Sequence, residues 1–138
     1  MFVLDTNVVS ELRKAKAGKA HPKVEAWARK VPVGGLYLSA ITVLELETGV
    51  LLIERRDAAQ GAVMRRWLDE HVLPAFADRI LPIDAAVALR CARLHVPDRM
   101  SERDALIAAT ALVHGMTVVT RNVADFEPSK VAIVDPWR

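Results

Sequence analysis

The chain has 138 residues, of which 52% are hydrophobic and 26% charged, and its net charge is +2. That length suits a single domain over residues 1–138, large enough to bury its own core. One cysteine, Cys91, excludes an internal disulfide, no apolar run reaches the ~18 residues of a membrane span, and the start carries no basic secretory leader, so a cytoplasmic location is expected.

Residues 2–5 read as a short buried strand, Phe2-Val3-Leu4-Asp5, that stops abruptly in polar side chains. Thr6 to about Ala15 has Val8, Val9 and Leu12 at helical spacing, and Lys16 to His21, with Gly18, reads as a loop. Pro22 suits the first turn of a helix running to about Lys30. Gly34-Gly35 breaks that helix, and Leu36-Tyr37-Leu38 is the second strand. Ile41 to Arg56 forms a long amphipathic helix, followed by another from Asp57 to about Phe76 whose end Pro74 disturbs.

Ile80 to Ile83 reads as an edge strand because it contains Pro82. A helix then runs from Asp84 to about Leu94, with Cys91 as core, and Pro97 to Met100 is a loop. Ser101 to His114 is helical and stops at Gly115. Thr117 to Thr120 and Val131 to Val134 are the last strands. Strands alternate with helices almost throughout, which predicts an α/β fold with a parallel sheet covered on both faces.

Ligands of an open parallel sheet bind at the carboxyl ends of its strands. Asp5 ends the first strand, and Glu45 lies near the start of the helix after the second. Asp104 opens the helix leading into Thr117–Thr120, and Asp125 follows that strand. All four acids are therefore expected on one rim. Each has a local alternative. Asp5 suits a helix cap, Thr42-x-x-Glu45 and Ser101-x-x-Asp104 match capping boxes, and Asp125 suits an Asx turn. Those roles explain acids at helix starts but not why these particular acids share a sheet edge.

Two carboxylates ~5 Å apart repel by about 3 kcal/mol at an effective dielectric near 20, so a cluster of four calls for a cation. Oxygen-only donors suit Mg²⁺ or Mn²⁺, while His21, His71, His95 and His114 lack the spacing of a zinc site. A divalent metal on a rim of acids points to phosphate-ester chemistry. Residues 13–30 hold seven basic side chains against Glu25 alone, which suits either a polyanion track or a solvated surface. The chain lacks a nucleophile elbow, a Walker loop and a dinucleotide fingerprint. Three tryptophans and one tyrosine, without an RNP motif, offer no evident base-stacking platform.

Four segments together resemble a PIN domain: Leu4-Asp5-Thr6-Asn7; Ser39-x-Ile41-Thr42-x-x-Glu45-Leu46-x-x-Gly49; the Ala-rich run opened by Asp104; and Thr120-Arg121-Asn122-x-x-Asp125-Phe126. More narrowly they resemble the VapC-type toxins of bacterial toxin–antitoxin pairs, including the FitB-like branch. The resemblance covers essentially the whole chain. It implies a three-layer α/β/α sandwich with a central, mostly parallel sheet, and an endoribonuclease dependent on Mg²⁺ or Mn²⁺. It further implies a homodimer inhibited by a small VapB/FitA-like antitoxin, with operator DNA bound only through the antitoxin complex.

Residue by residue, Asp5, Glu45, Asp104 and Asp125 match the family's acidic quartet. Asp5 and Asp104 would hold the metal most directly, with Glu45 and Asp125 contributing directly or through water. Thr6, Asn7, Thr120 and Asn122 match polar positions around them and would orient carboxylates and waters. The other readings are a stand-alone PIN nuclease in RNA processing, a haloacid-dehalogenase-type phosphatase, and a non-enzymatic binding module. The phosphatase wants a second acid where this chain has Asn7.

Overall fold

The computed structural model describes all 138 residues. Side-chain alternation along short strands sets its architecture, because successive residues of a strand face opposite sides of the sheet. In β1 (Phe2–Leu4), Leu4 joins one buried apolar cluster and Val3 another. In β4 (Thr117–Val119), Val119 and Val118 divide in the same way. β2 (Leu36–Ser39) sends Leu36 and Leu38 to the first cluster, while Tyr37 packs on the second. The two clusters are thus the two faces of one sheet, and helices cover both. The expected α/β/α layering is what the chain adopts.

Val8 and Val9 of α1 (Thr6–Arg13) and Leu46 and Val50 of α3 (Ala40–Arg56) cover the first face, while α2 (Pro22–Lys30) follows α1. α4 (Ala58–Trp67) packs beside α3, and Gly61 makes that approach possible: a Cβ there would lie 2.5 Å from the Glu54 Cα. Ile107, Ala108 and Ala111 of α7 (Glu102–His114) cover the second face, with Phe126 of the short helix α8 (Val123–Phe126). α6 (Ala85–Leu94) packs outside α7 through Val87 and Cys91 against Ala105 and Ala109. α7 is Ala-rich because it lies between a sheet and a helix and is buried on most sides.

The sheet has five strands in the order β3-β2-β1-β4-β5, all parallel, with β3 (Ile80–Leu81) and β5 (Ile133–Val134) at the edges. The chain moves outward from β1 through β2 to β3, then returns past β1 to build β4 and β5. The order therefore reverses between β1 and β4, and an open α/β sheet opens a crevice at such a point, outside the carboxyl ends of the strands. Asp5 and Thr120 are the first residues beyond those two strand ends.

Three sequence expectations need correction. The first helix ends at Arg13, and Lys14–Ala17 forms a 3₁₀ turn that closes on Gly18 at φ 68. The helix expected over 57–76 is interrupted by a π turn at Leu68–Val72 before the short helix α5 (Leu73–Ala75). Pro74 has no N–H to donate and its ring crowds the carbonyl four residues back, which a wider turn relieves. The outer strands are shorter than expected, and β3 stops before Pro82, which cannot continue a ladder.

Candidate active site

Asp5 is the best-supported carboxylate of the rim, and only 5% of it is exposed. Its Oδ1 accepts the Thr6 N–H at 2.8 Å, so it does cap α1 as the local alternative proposes. Its Oδ2 accepts the Thr120 hydroxyl at 2.8 Å and the Asn7 side-chain amide at 3.2 Å. The Asp5 N–H itself donates to the Val119 carbonyl at 2.9 Å, extending the β1–β4 ladder to the rim. Capping and site roles coincide in this residue. Burial raises its pKa above the ordinary value; the hydrogen bonds from Thr120 and Thr6 oppose that rise, and the charges of Glu45 and Asp125 add to it.

Glu45 is not part of a capping box. The N-cap of α3 is Ser39, whose hydroxyl accepts the Ile41 N–H at 3.1 Å, while Thr42 is fully buried inside the first turn. Glu45 instead accepts the Thr6 hydroxyl on Oε1 at 2.7 Å, across to α1. Its Oε2 lies 3.7 Å from an Arg103 amino group on the first turn of α7.

Asp104 stands next to that arginine and faces the same cavity. Burial, followed by the charges of Asp5, Asp125 and Glu45, pushes its pKa up to about 6, against a smaller opposing effect of the Ser101 hydroxyl. Ser101 is the N-cap residue of α7, but its side chain accepts no bond from the helix start.

Asp5, Thr6, Asn7, Glu45, Asp104 and Asn122 all line one polar cavity of about 450 Å³. Asp125 does not line it. It faces an adjoining depression beside Ser101 and Met100, and Asp104 lines both. Its backbone N–H donates to the Asn122 carbonyl at 3.1 Å, and its charge is felt at both Asp5 and Asp104. Of the supporting residues, the Thr120 hydroxyl also accepts the Asn122 backbone N–H at 3.0 Å, and the Asn7 side-chain Oδ1 accepts the Arg121 backbone N–H at 3.4 Å.

The donors are all oxygens, and Asp5 and Asp104 carry raised pKa values, through burial first and then through the charges of the neighbouring acids. That chemistry fits a hard divalent cation. No three of the acids stand in a geometry that would ligate one ion together.

Sequence reasoning gave no site role to Ser10, Glu11, Arg121 and Trp137, which also line this cavity, and placed Lys14 only within the basic stretch. Lys14 pairs with Glu11 at 3.3 Å, and Glu11 also accepts the His21 N–H at 2.8 Å. Trp137 comes from the far end of the chain, so no local motif announces it. Within the basic stretch, Lys14 alone reaches the cavity; Arg13 turns onto the Trp67 ring and Arg29 pairs with Glu25.

A parallel sheet reversing beside a cluster of acids is shared by a recognisable class of domains. The PIN domain family model matches residues 2–127, and the chain belongs to that family. It is 39% identical to the VapC ribonuclease Y4jK of Sinorhizobium fredii over 142 aligned positions, covering 99% of this chain and 98% of that protein. It is 37% identical to the toxin FitB of Neisseria gonorrhoeae, covering 99% of both. The crystal structure of FitAcB from Neisseria gonorrhoeae superposes with a TM-score of 0.90 at 37% identity, covering 100% of this chain and 99% of that one. A second neighbour, FitAB bound to an IR36 DNA fragment, gives 0.89 at 36% identity, covering 100% and 96%.

Proposed function

We propose that the protein is the toxin of a type II toxin–antitoxin pair, an endoribonuclease that hydrolyses RNA phosphodiester bonds with Mg²⁺ or Mn²⁺. The observation that carries this reading is the convergence of Asp5, Glu45 and Asp104 on one polar cavity at the sheet's switch point. The ribonuclease and toxin names of its full-length relatives agree with it.

Asp5 and Asp104 hold the metal most directly, with Glu45 and Asp125 completing the site directly or through water. A divalent cation there supplies positive charge for the phosphoryl oxygens and for the attacking water. The chain's own contribution is preorganisation. Thr120, Thr6 and Asn7 fix both oxygens of Asp5, so its geometry is set before RNA arrives. Thr6 also fixes Glu45, and through it α1 and α3 share one hydroxyl at the site. Hydrolysis breaks one P–O bond and adds water across it, leaving a phosphate on one fragment and a hydroxyl on the other.

The proposed inhibitor is a small DNA-binding antitoxin of the VapB/FitA type, with operator DNA bound through the complex; the protein itself acts as a homodimer. The solved neighbours FitAcB and DNA-bound FitAB are complexes of this kind, which supports this partner. The test is to co-purify the protein with the product of the adjacent small gene, release that partner, and map cleavage ends on total RNA with Mg²⁺ and with EDTA. Metal-dependent ends suppressed by the partner are expected. Metal-dependent cleavage without any inhibitory partner would instead indicate a stand-alone RNA-processing nuclease, and no cleavage at all a binding module.

A further inference from the structure

Three cationic side chains approach the acidic cavity, and two have carboxylate partners. Lys14 pairs with Glu11 at 3.3 Å, and Arg103 lies 3.7 Å from Glu45. Arg121 lines the same cavity yet is paired with none of its acids; its guanidinium lies over the Trp137 ring, 5.4 Å from the centroid. Trp137 is half-buried against the core cluster of the first face, and its backbone N–H donates to the Asp135 carboxylate at 3.0 Å. The Arg121 backbone is tied to Asn7, whose amide reaches Asp5 at 3.2 Å.

A guanidinium stacked on an indole keeps its edge N–H groups free, and those groups match the oxygens of a phosphate. Arg121 is exposed and has no acid partner, so these edge donors face solvent beside Asp5, Glu45 and Asp104 and are open to an anion that enters. We propose that Arg121 binds an RNA phosphate adjoining the scissile one, and that Trp137 is a positioning residue that holds the guanidinium toward the cavity. This subsite rests on the ribonuclease reading and adds a strand-binding contact to it. Arginine is required in this arrangement, since an ammonium is a point charge without a flat face for the indole and without the paired edge donors.

The experiment is anisotropy of a labelled single-stranded RNA decamer titrated with the full chain in EDTA, where turnover is blocked, at several salt concentrations. The wild type is expected to bind. Arg121→Ala should bind about tenfold more weakly, and its dependence of log affinity on log salt should be shallower by about 0.7, the value for one lost contact to a single strand. Arg121→Lys should keep the slope while binding more weakly. Trp137→Leu should weaken binding in the wild-type background and cost nothing further alongside Arg121→Ala; Trp137→Phe, which keeps an aromatic face, should restore most of the affinity.

Wild-type affinity and slope in Arg121→Ala would overturn the phosphate subsite while leaving the ribonuclease reading intact. An equal loss from Trp137→Leu in both backgrounds would overturn the positioning role, because the indole would then contact RNA itself. A wild type that binds no RNA in EDTA would overturn the subsite, and one that also cuts none once Mg²⁺ is added would remove the ribonuclease reading with it.

Discussion

The Thr120 hydroxyl donates to Asp5 Oδ2 at 2.8 Å, joining the ends of two adjacent strands from positions 115 residues apart. It is a long-range contact made at the point where the sheet reverses. Thr120→Val keeps the shape and removes the donor. The loss should cost about 1–3 kcal/mol of stability at a pH where Asp5 is ionised, since a buried carboxylate then lacks a partner. Metal affinity should fall by about 10- to 100-fold, the usual effect of removing a ligand's support. Unchanged metal binding in Thr120→Val would show that Asp5 does not ligate.

The acids also give the metal-free protein a pH signature. Asp104 has a folded pKa of about 6 against an ordinary value of 3.8, so the folded state holds its proton more tightly than the unfolded state. Its contribution to stability is therefore fully present below about pH 4 and is lost as pH rises through about 6. Asp5, also raised, acts in the same direction. In EDTA, thermal melts of the wild type should lose stability over that window, and Asp104→Asn should flatten the loss. Added Mg²⁺ should restore stability at pH 8 more than at pH 5. A melting profile that Asp104→Asn leaves unchanged would contradict this origin.

Glu45 and Glu47 separate on the same helix. Glu45 reaches Thr6 and the cavity, whereas both Glu47 oxygens accept from Arg65 at 2.7 Å, linking α3 to α4. Glu45→Gln should abolish cleavage with little change in melting temperature, because an amide oxygen can still accept from Thr6 and an exposed pair with Arg103 contributes at most about 1 kcal/mol. Glu47→Gln should lower the melting temperature and leave the cleavage rate per folded molecule intact. The reverse pattern in melts and single-turnover rates would exchange the two roles.

The strand-end acids were legible because they obey a rule of topology. Once strands and helices alternate, the residue after β1 and the start of α7 must share an edge, so Asp5 and Asp104 could be placed together from order alone. Glu45 lines the cavity, but Thr42 mimics a cap that Ser39 in fact supplies. The local pattern could not tell the two hydroxyls apart, because where β2 ends decides which one caps. Asp125 lies one step aside, in an adjoining depression, because the turn of α8 rather than the strand aims it. Arg103, Arg121 and Trp137 were missed for another reason. Their partners come from other elements, and side-chain pairing across 16 residues between Arg121 and Trp137 leaves no periodic trace. The π turn at Leu68–Val72 was foreshadowed only by Pro74.

The basic stretch yields a sharper expectation than its charge count. Lys14 lines the cavity, while Lys16 and Lys19 are exposed on the turn and loop beyond it. Lys14→Gln should therefore weaken RNA binding and make its salt slope shallower, by less than the about 0.7 of one full contact because Lys14 is shared with Glu11. Lys16→Gln with Lys19→Gln should change the slope less than Lys14→Gln alone. Equal effects from both variants, in the same anisotropy titration, would indicate a diffuse basic track instead of one placed contact.

The most direct test of the acidic site is Mn²⁺ binding followed by calorimetry at pH 7.5 on the wild type, Asp5→Asn and Asp104→Asn, with folding checked by melts in EDTA. Each substitution removes one charge with almost no change of shape. The wild type should bind Mn²⁺, and each variant should lose more than about a hundredfold in affinity, beyond what supporting residues alone produce, while remaining folded. Folded variants that bind Mn²⁺ as tightly as the wild type would contradict a metal site built on Asp5 and Asp104.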